Sequence, residues 1–251
     1  MSEPAITLHG MKTSGHAHRV ELLLEILGLP YRYVETPGKD LASPEFRALN
    51  PLGQVPVLRD GDLTLADSNA ILVYLVRRYA PDSQWLPSDA VGAARVQRWL
   101  SIAAGEIRYG PALARVIALL NRPREEPDLN GRRHLDPKPA IAIAERIFAF
   151  METELGRGTA FLAADHPTIA DLACYAYTAR APEGDVSLEP YPNLRAWLAR
   201  SKRCRVSSRW SGRGSREGEF GRDLVPRRRN RRAAACGLCD RRSRDQAFHA
   251  R

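Results

Sequence analysis

Asn50 to Tyr79 reads NPLGQVPVLRDGDLTLADSNAILVYLVRRY, and the fold follows from how this stretch divides. An apolar strand begins through Val55-Pro56, Asp60-Gly61 makes a tight turn, and Leu63 to Ala66 forms a second strand. Asp67-Ser68 then opens a helix whose apolar positions are Ala70, Ile71, Tyr74 and Leu75, giving a β-β-α unit. Pro56 at the head of a strand suits a cis bond, because an X-Pro peptide lowers the trans preference to about 0.5–1 kcal/mol. Such a bend turns the main-chain groups of Val55 outward, where they can pair with an extended peptide as a sheet edge does. Ser68 is expected as the helix N-cap, and a helix start of this kind attracts a carboxylate. Taken singly, each feature also fits an ordinary strand start and an ordinary cap.

Upstream, Ala5 to His9 is a short β-rich run, and Val20, Leu22, Leu23, Leu24, Ile26 and Leu27 predict a buried helix stopped by Gly28-Leu29-Pro30. Tyr31 to Val34 is the next strand, and Thr36 to Arg47, marked by Pro and Gly, reads as irregular. The order β-α-β, loop, β-β-α is the thioredoxin-like arrangement, in which parallel strands need a helical crossover. Downstream, Pro81 to Pro87 reads as a linker, and beyond it only helical periodicity remains: Gly92 to Tyr109, Leu113 to Leu120, Pro139 to Leu155, Ile169 to Ala179 and Leu194 to Ala199. Asn121 to Asp136 is polar and proline-broken, a surface loop. Thr168 to Asp171 is a capping box. The expected division is an α/β domain over 1–80, a linker over 81–87, an all-helical bundle domain over 88–200 and a disordered tail over 201–251.

The chain has 251 residues, 44% of them hydrophobic, enough for a real core. Its net charge of +9 is misleading about the body. From Arg203 onward there are fifteen Arg and five acidic residues, so the preceding 202 residues are close to neutral. Cys174 is the one cysteine in the body, which leaves no disulfide framework and points to a reducing compartment. No basic-then-apolar leader and no long uncharged apolar stretch is present, and the expected location is cytoplasmic.

Asn50 to Leu58 matches Asn-Pro-x-Gly-x-Val-Pro-x-Leu, and Asp67 to Ile71 matches Asp/Glu/Gln-Ser-x-Ala-Ile about a dozen residues on. In this order and spacing the two resemble the glutathione transferase family. The family's capping box Thr-x-Ala-Asp has its counterpart at Thr168 to Asp171, followed by Tyr191-Pro192-Asn193-Leu194 and Trp197, so the resemblance spans roughly residues 5 to 200. It implies glutathione as co-substrate, no metal, a small electrophile as second substrate and a homodimer. It also implies that Val55, beside Pro56, pairs with the cysteinyl part of glutathione and that Asp67 and Ser68 hold the γ-glutamyl end. Gln54 and Lys39 complete the expected glutathione contacts.

Family members activate the thiol in the loop before the first helix. Here that loop reads Thr13-Ser14-Gly15-His16-Ala17-His18-Arg19-Val20, similar to the bacterial pattern Ser-x-x-x-x-Lys/Arg-Val, which makes Ser14 the expected catalytic residue. A hydroxyl donor and the positive end of a helix both stabilise a thiolate. Ala17 stands where some relatives have Cys, and no Tyr lies near His9 and Gly10. His16, Arg108 and Tyr109 are the candidates for the second-substrate pocket, while solvated first-turn positions are the plainer reading of His16 and His18. A binding or regulatory protein of the same fold, or a glutathione-dependent peroxidase or isomerase, would carry the same motifs.

The text changes character at Ser201. The run SKRCRVSSRW can be encoded so that the frame one base earlier spells VEALPGFVAM, which is how a transferase of this type continues. A single-base frameshift near codon 201 is therefore the reading preferred over an arm for nucleic acid, which such a tail would bind only non-specifically. On that reading the Cys236 and Cys239 pair is accidental.

Overall fold

The computed structural model describes residues 5–121 and 135–203. The Arg-rich tail, the frameshift reading and most of the polar segment before Asp136 lie outside the described residues.

β1 (Ile6–Gly10) is inside a four-stranded sheet of order β2-β1-β3-β4 and is buried along most of its length. β2 (Tyr31–Glu35) runs parallel to it, Ile6 opposite Tyr31 and Gly10 opposite Glu35, so α1 (Gly15–Ile26) serves as the crossover. β3 (Val57–Asp60) pairs antiparallel with β1, Leu8 opposite Leu58, and β4 (Leu63–Ala66) folds back on β3 through Gly61, whose φ of +57° suits a residue without Cβ. α3 (Ser68–Tyr79) packs beside α1, and Leu22, Leu23, Ile71, Leu72 and Leu75 are fully buried or nearly so. This is the thioredoxin-like order read from the sequence.

Thr36 to Arg47 departs from its irregular reading. It holds a 3-10 turn over Gly38–Ala42 and then α2 (Pro44–Leu49), capped by Ser43, whose Oγ accepts from Phe46 N–H at 3.2 Å. α2 has six residues and buries only Phe46, too little for periodicity to reveal it. The strand expected through Val55-Pro56 starts two residues later, at Val57, and the Val55–Pro56 bond is cis.

The second half is all helix: α4 (Ala90–Ala104), α5 (Leu113–Asn121), α6 (Lys138–Leu155), α7 (Ile169–Ala179) and α8 (Pro192–Ser201). The helix expected through Tyr109 ends at Gly105, and a wide helical turn over Arg108–Ala112 leads into α5. The backbone leaves helical geometry first at Gly105 (φ −97°, ψ −93°) and again at Gly110, ahead of Pro111. Pro has no N–H for a continuing ladder, and Gly110 lies so close to α6 that a Cβ there would be 2.9 Å from Ala144 N.

α7 is the centre of this half and its bridge to the first. Ile169 to Thr178 are all buried, and the helix packs on α1, α3, α4 and α8. Its start is built around Asp171, which is 0% exposed. One carboxylate oxygen accepts from Leu162 N–H at 3.0 Å and Trp197 Nε1 at 2.8 Å; the other accepts from Thr168 N–H at 2.8 Å and Thr168 Oγ1 at 3.1 Å. Burial pushes the Asp171 pKa up, and these four donors oppose the rise. The linker ties to the same place, for Ile169 N–H donates to Trp85 C=O at 2.9 Å.

Candidate functional site

α1 starts at Ser14, which adopts an extended backbone and accepts from Ala17 N–H through Oγ at 3.3 Å. A side-chain oxygen at this position satisfies one of the free donors of a first turn. The neighbouring Gly15 N–H donates to Tyr177 Oη of α7 at 3.1 Å. The absence of a side chain at Gly15 is what permits this, since a Cβ there would lie 2.8 Å from Tyr177 Cζ. Behind the loop, Arg115 Nη1 donates to Thr13 C=O at 3.3 Å while its Nε pairs with Glu183 Oε2 at 2.6 Å. The helical half thus holds the Ser14 loop from two directions.

A cavity of about 260 Å³ opens beside this helix start. Its wall gathers His16, Gln54, Val55, Pro56, Asp67, Ser68 and Arg108 from four separate parts of the chain. Ser14, Lys39 and Tyr109 do not line it. Lys39 is exposed on the 3-10 turn, and Tyr109 is 54% exposed. Val55 is half-buried on the wall. Among the described residues neither its N–H nor its C=O takes a protein partner. The loop before it is fixed by Asn50, whose Nδ2 donates to Gln54 C=O at 2.8 Å and whose Oδ1 accepts from Leu52 N–H at 3.2 Å.

The cap of α3 differs from expectation. Asp67, at φ +71° and ψ +121°, is the N-cap: Oδ1 accepts from Asn69 N–H at 2.9 Å and Ala70 N–H at 3.0 Å. Ser68 is the first helical residue, and a carboxylate one position earlier outcompetes its hydroxyl for the capping role. Freed from capping, Ser68 Oγ turns to side chains from α1. It accepts from Arg19 Nη1 at 3.4 Å and stands 3.5 Å from His16 Nδ1.

The reading of His16 and His18 as solvated fails. His18 is 4% exposed, and burial first, then Arg180, Lys12 and Arg19, lowers its pKa to about 4. His16 lies edge-on to Tyr177 with ring centroids 5.0 Å apart, and burial, Arg19 and Arg108 hold its pKa well below the usual imidazole value. Both rings are neutral at physiological pH. Their i, i+2 spacing said nothing of the α7 side chains that cover this face. Arg19, Asn50 and Asn69 line or support the cavity and were not singled out beforehand. Two signals were available: Arg19 fills the basic position of the Ser-x-x-x-x-Lys/Arg-Val pattern, and Asn50 opens the Asn-Pro-x-Gly pattern. Among the described residues no cluster of His, Cys, Asp or Glu is placed to hold a metal ion, and no helix is long and apolar enough to cross a membrane.

The family models described as the N-terminal and C-terminal domains of glutathione S-transferase match residues 8–83 and 125–200. The probable glutathione S-transferase GSTF2 of Oryza sativa subsp. japonica is 32% identical over 214 residues, covering 80% of this chain and 95% of its own. The crystal structure of a glutathione S-transferase from Pseudomonas fluorescens is 32% identical, with a TM-score of 0.72 over 82% of this chain and 98% of that one. A theta class enzyme from Xanthomonas axonopodis pv. citri, solved with glutathione bound, is 27% identical with a TM-score of 0.67, covering 79% and 93% of the two chains. The chain belongs to the glutathione S-transferase family.

Proposed function

We propose that the protein is a glutathione transferase that binds the tripeptide along Gln54, Val55, Asp67 and Ser68 and activates its thiol at Ser14 for attack on a small electrophile. The observation that carries this is Val55: it lines a cavity that the start of α3 also lines, and neither its main-chain N–H nor its C=O has a protein partner among the described residues. Glutathione is an extended peptide with a carboxylate at the glutamyl end, and strand-like pairing at Val55 would direct that end toward Ser68.

Ser14 Oγ already accepts from Ala17 N–H, so its proton is the group left to donate to a thiolate. The positive end of α1 adds to this donor, and both lower the thiol pKa. The nucleophile is then glutathione sulfur, and the hydroxyl need not take up a proton. His16 on the same wall is held neutral, so the thiol proton passes to solvent and the ring serves as a hydrogen-bonding group beside the thiol. Arg108, also on this wall, reaches the tripeptide cavity from the second half, as does Ala104. A division near residues 81–87, a cytoplasmic setting and a homodimer complete the reading.

A pH titration of bound glutathione, followed by thiolate absorbance, tests it. The bound thiol should ionise at least about one pH unit below free glutathione, and Ser14→Ala should return it most of the way. Binding with no such shift would make the protein a non-catalytic binder of the same fold.

A further inference from the structure

Arg19 is the most deeply buried cation on the cavity wall, at 1% exposure, and its contacts leave it incomplete. Nη1 donates to Asn69 Oδ1 at 2.9 Å and to Ser68 Oγ at 3.4 Å. Nε and Nη2 are buried and have no hydrogen-bond partner, and among the described residues no carboxylate forms an ion pair with this guanidinium. Asp67 is the carboxylate whose charge acts on it, and Asp67 Oδ1 is committed to the N–H groups of Asn69 and Ala70. Cys174, also beside it, supplies no charge, its buried thiol being pushed up to about 12.

A buried charge without a counter-charge is costly, and each buried donor without a partner calls for a reason. The reason here lies one atom away. Arg19 Nη1 donates to Ser68 Oγ, which leaves the hydroxyl proton free to donate, and His16 Nδ1 stands 3.5 Å from that oxygen. A ligand oxygen accepting that proton would offer the charge that Arg19 lacks, in surroundings where the field is little screened.

We infer that Arg19 is a positioning residue that makes the cavity selective for a carboxylate at Ser68, so that the α-carboxylate of the glutamyl group completes a buried ion pair relayed through the Ser68 hydroxyl. The inference rests on the glutathione reading and adds to it a determinant from α1, a deeply buried guanidinium on the cavity wall that acts through Ser68.

Calorimetric titration of the full chain with two peptides tests it: glutathione, and 4-aminobutyryl-cysteinyl-glycine, which is glutathione without the glutamyl α-carboxylate. The wild type should prefer glutathione by about 10-fold or more, the range of a charge-assisted hydrogen bond. Arg19→Met should reduce that preference to about 2-fold by weakening glutathione alone, and Arg19→Lys, which keeps the charge, should recover a large part of it. A merely structural Arg19 would weaken both peptides equally and leave the ratio unchanged, which overturns the inference.

The wild type supplies a second readout that needs no variant. Between 50 mM and 500 mM salt the preference should hold within about twofold, because a buried charge is poorly screened. Collapse of the ratio would assign the counter-charge to exposed Arg108 and overturn the role of Arg19. If the wild type binds both peptides equally, Arg19 loses its role while the glutathione reading stands. If it binds neither, the glutathione reading itself falls.

Discussion

His18 shows how a single residue couples this fold to pH. It is buried, the positive charges of Arg180, Lys12 and Arg19 act on it, and it stays neutral down to about pH 4, whereas in an unfolded chain it would take up a proton near 6.5. Its folded pKa is depressed, so the stability linked to it is complete above pH 6.5 and is lost as pH falls toward 4, by about 3 kcal/mol in total. His16 contributes in the same direction. Urea unfolding measured between pH 7.5 and 5, above the range of ordinary carboxylates, should show stability declining with acid, and His18→Gln should flatten that slope. An unchanged slope in the variant would remove His18 from the account. Much of this residue-scale picture was not legible in the sequence. Ser14, Val55, Asp67 and Ser68 sit in local motifs whose spacing singled them out, though the N-cap of α3 proved to be Asp67 and not Ser68. The environments of His16, His18 and Arg19 are made by α3 and α7, 50 to 160 positions away, and no local pattern encodes a neighbour at that distance.

At the scale of elements, legibility followed length and burial. α6 and α7 bury a face over 18 and 11 residues, and their periodicity marked them almost to the residue. α2 has one buried residue and was hidden, while α4 was read too far, through Tyr109, because Ile107 keeps the apolar pattern across a break that the backbone makes at Gly105 and again at Gly110. The capping box of α7 was legible as a start signal, yet its larger role came from the fold. Asp171 also receives Leu162 N–H and Trp197 Nε1, so one carboxylate joins α7, α8 and the segment before them. Asp171→Ala would leave four buried donors without an acceptor and should cost about 3–5 kcal/mol. Asp171→Asn, which keeps one oxygen acceptor, should cost less. Denaturant midpoints of the two variants check this order, and a loss below about 1 kcal/mol for the Ala variant would show that the donors find other partners.

For the whole molecule, the two halves share one site and one support. The Ser14 loop belongs to the first half, and its fixed points, Tyr177 and Arg115, belong to the second. The stretch from Pro81 to Pro87 reads in the sequence as a linker, rich in proline and polar residues. Its backbone is instead held at intervals: Ser83 N–H bonds Ala80 C=O at 3.0 Å, Ile169 N–H bonds Trp85 C=O at 2.9 Å, Arg77 bonds Pro87 C=O at 3.3 Å, and Leu86 is buried. An endoprotease needs several consecutive residues drawn out into its own groove, and a strap pinned at these points offers none. Limited digestion should therefore spare the 80–87 connection under native conditions and cut there only once α7 has come apart. A clean early nick releasing an intact first half would refute this. The connection that composition marks as the obvious place to cut the protein in two is, in the folded molecule, the seam that keeps it from being divided.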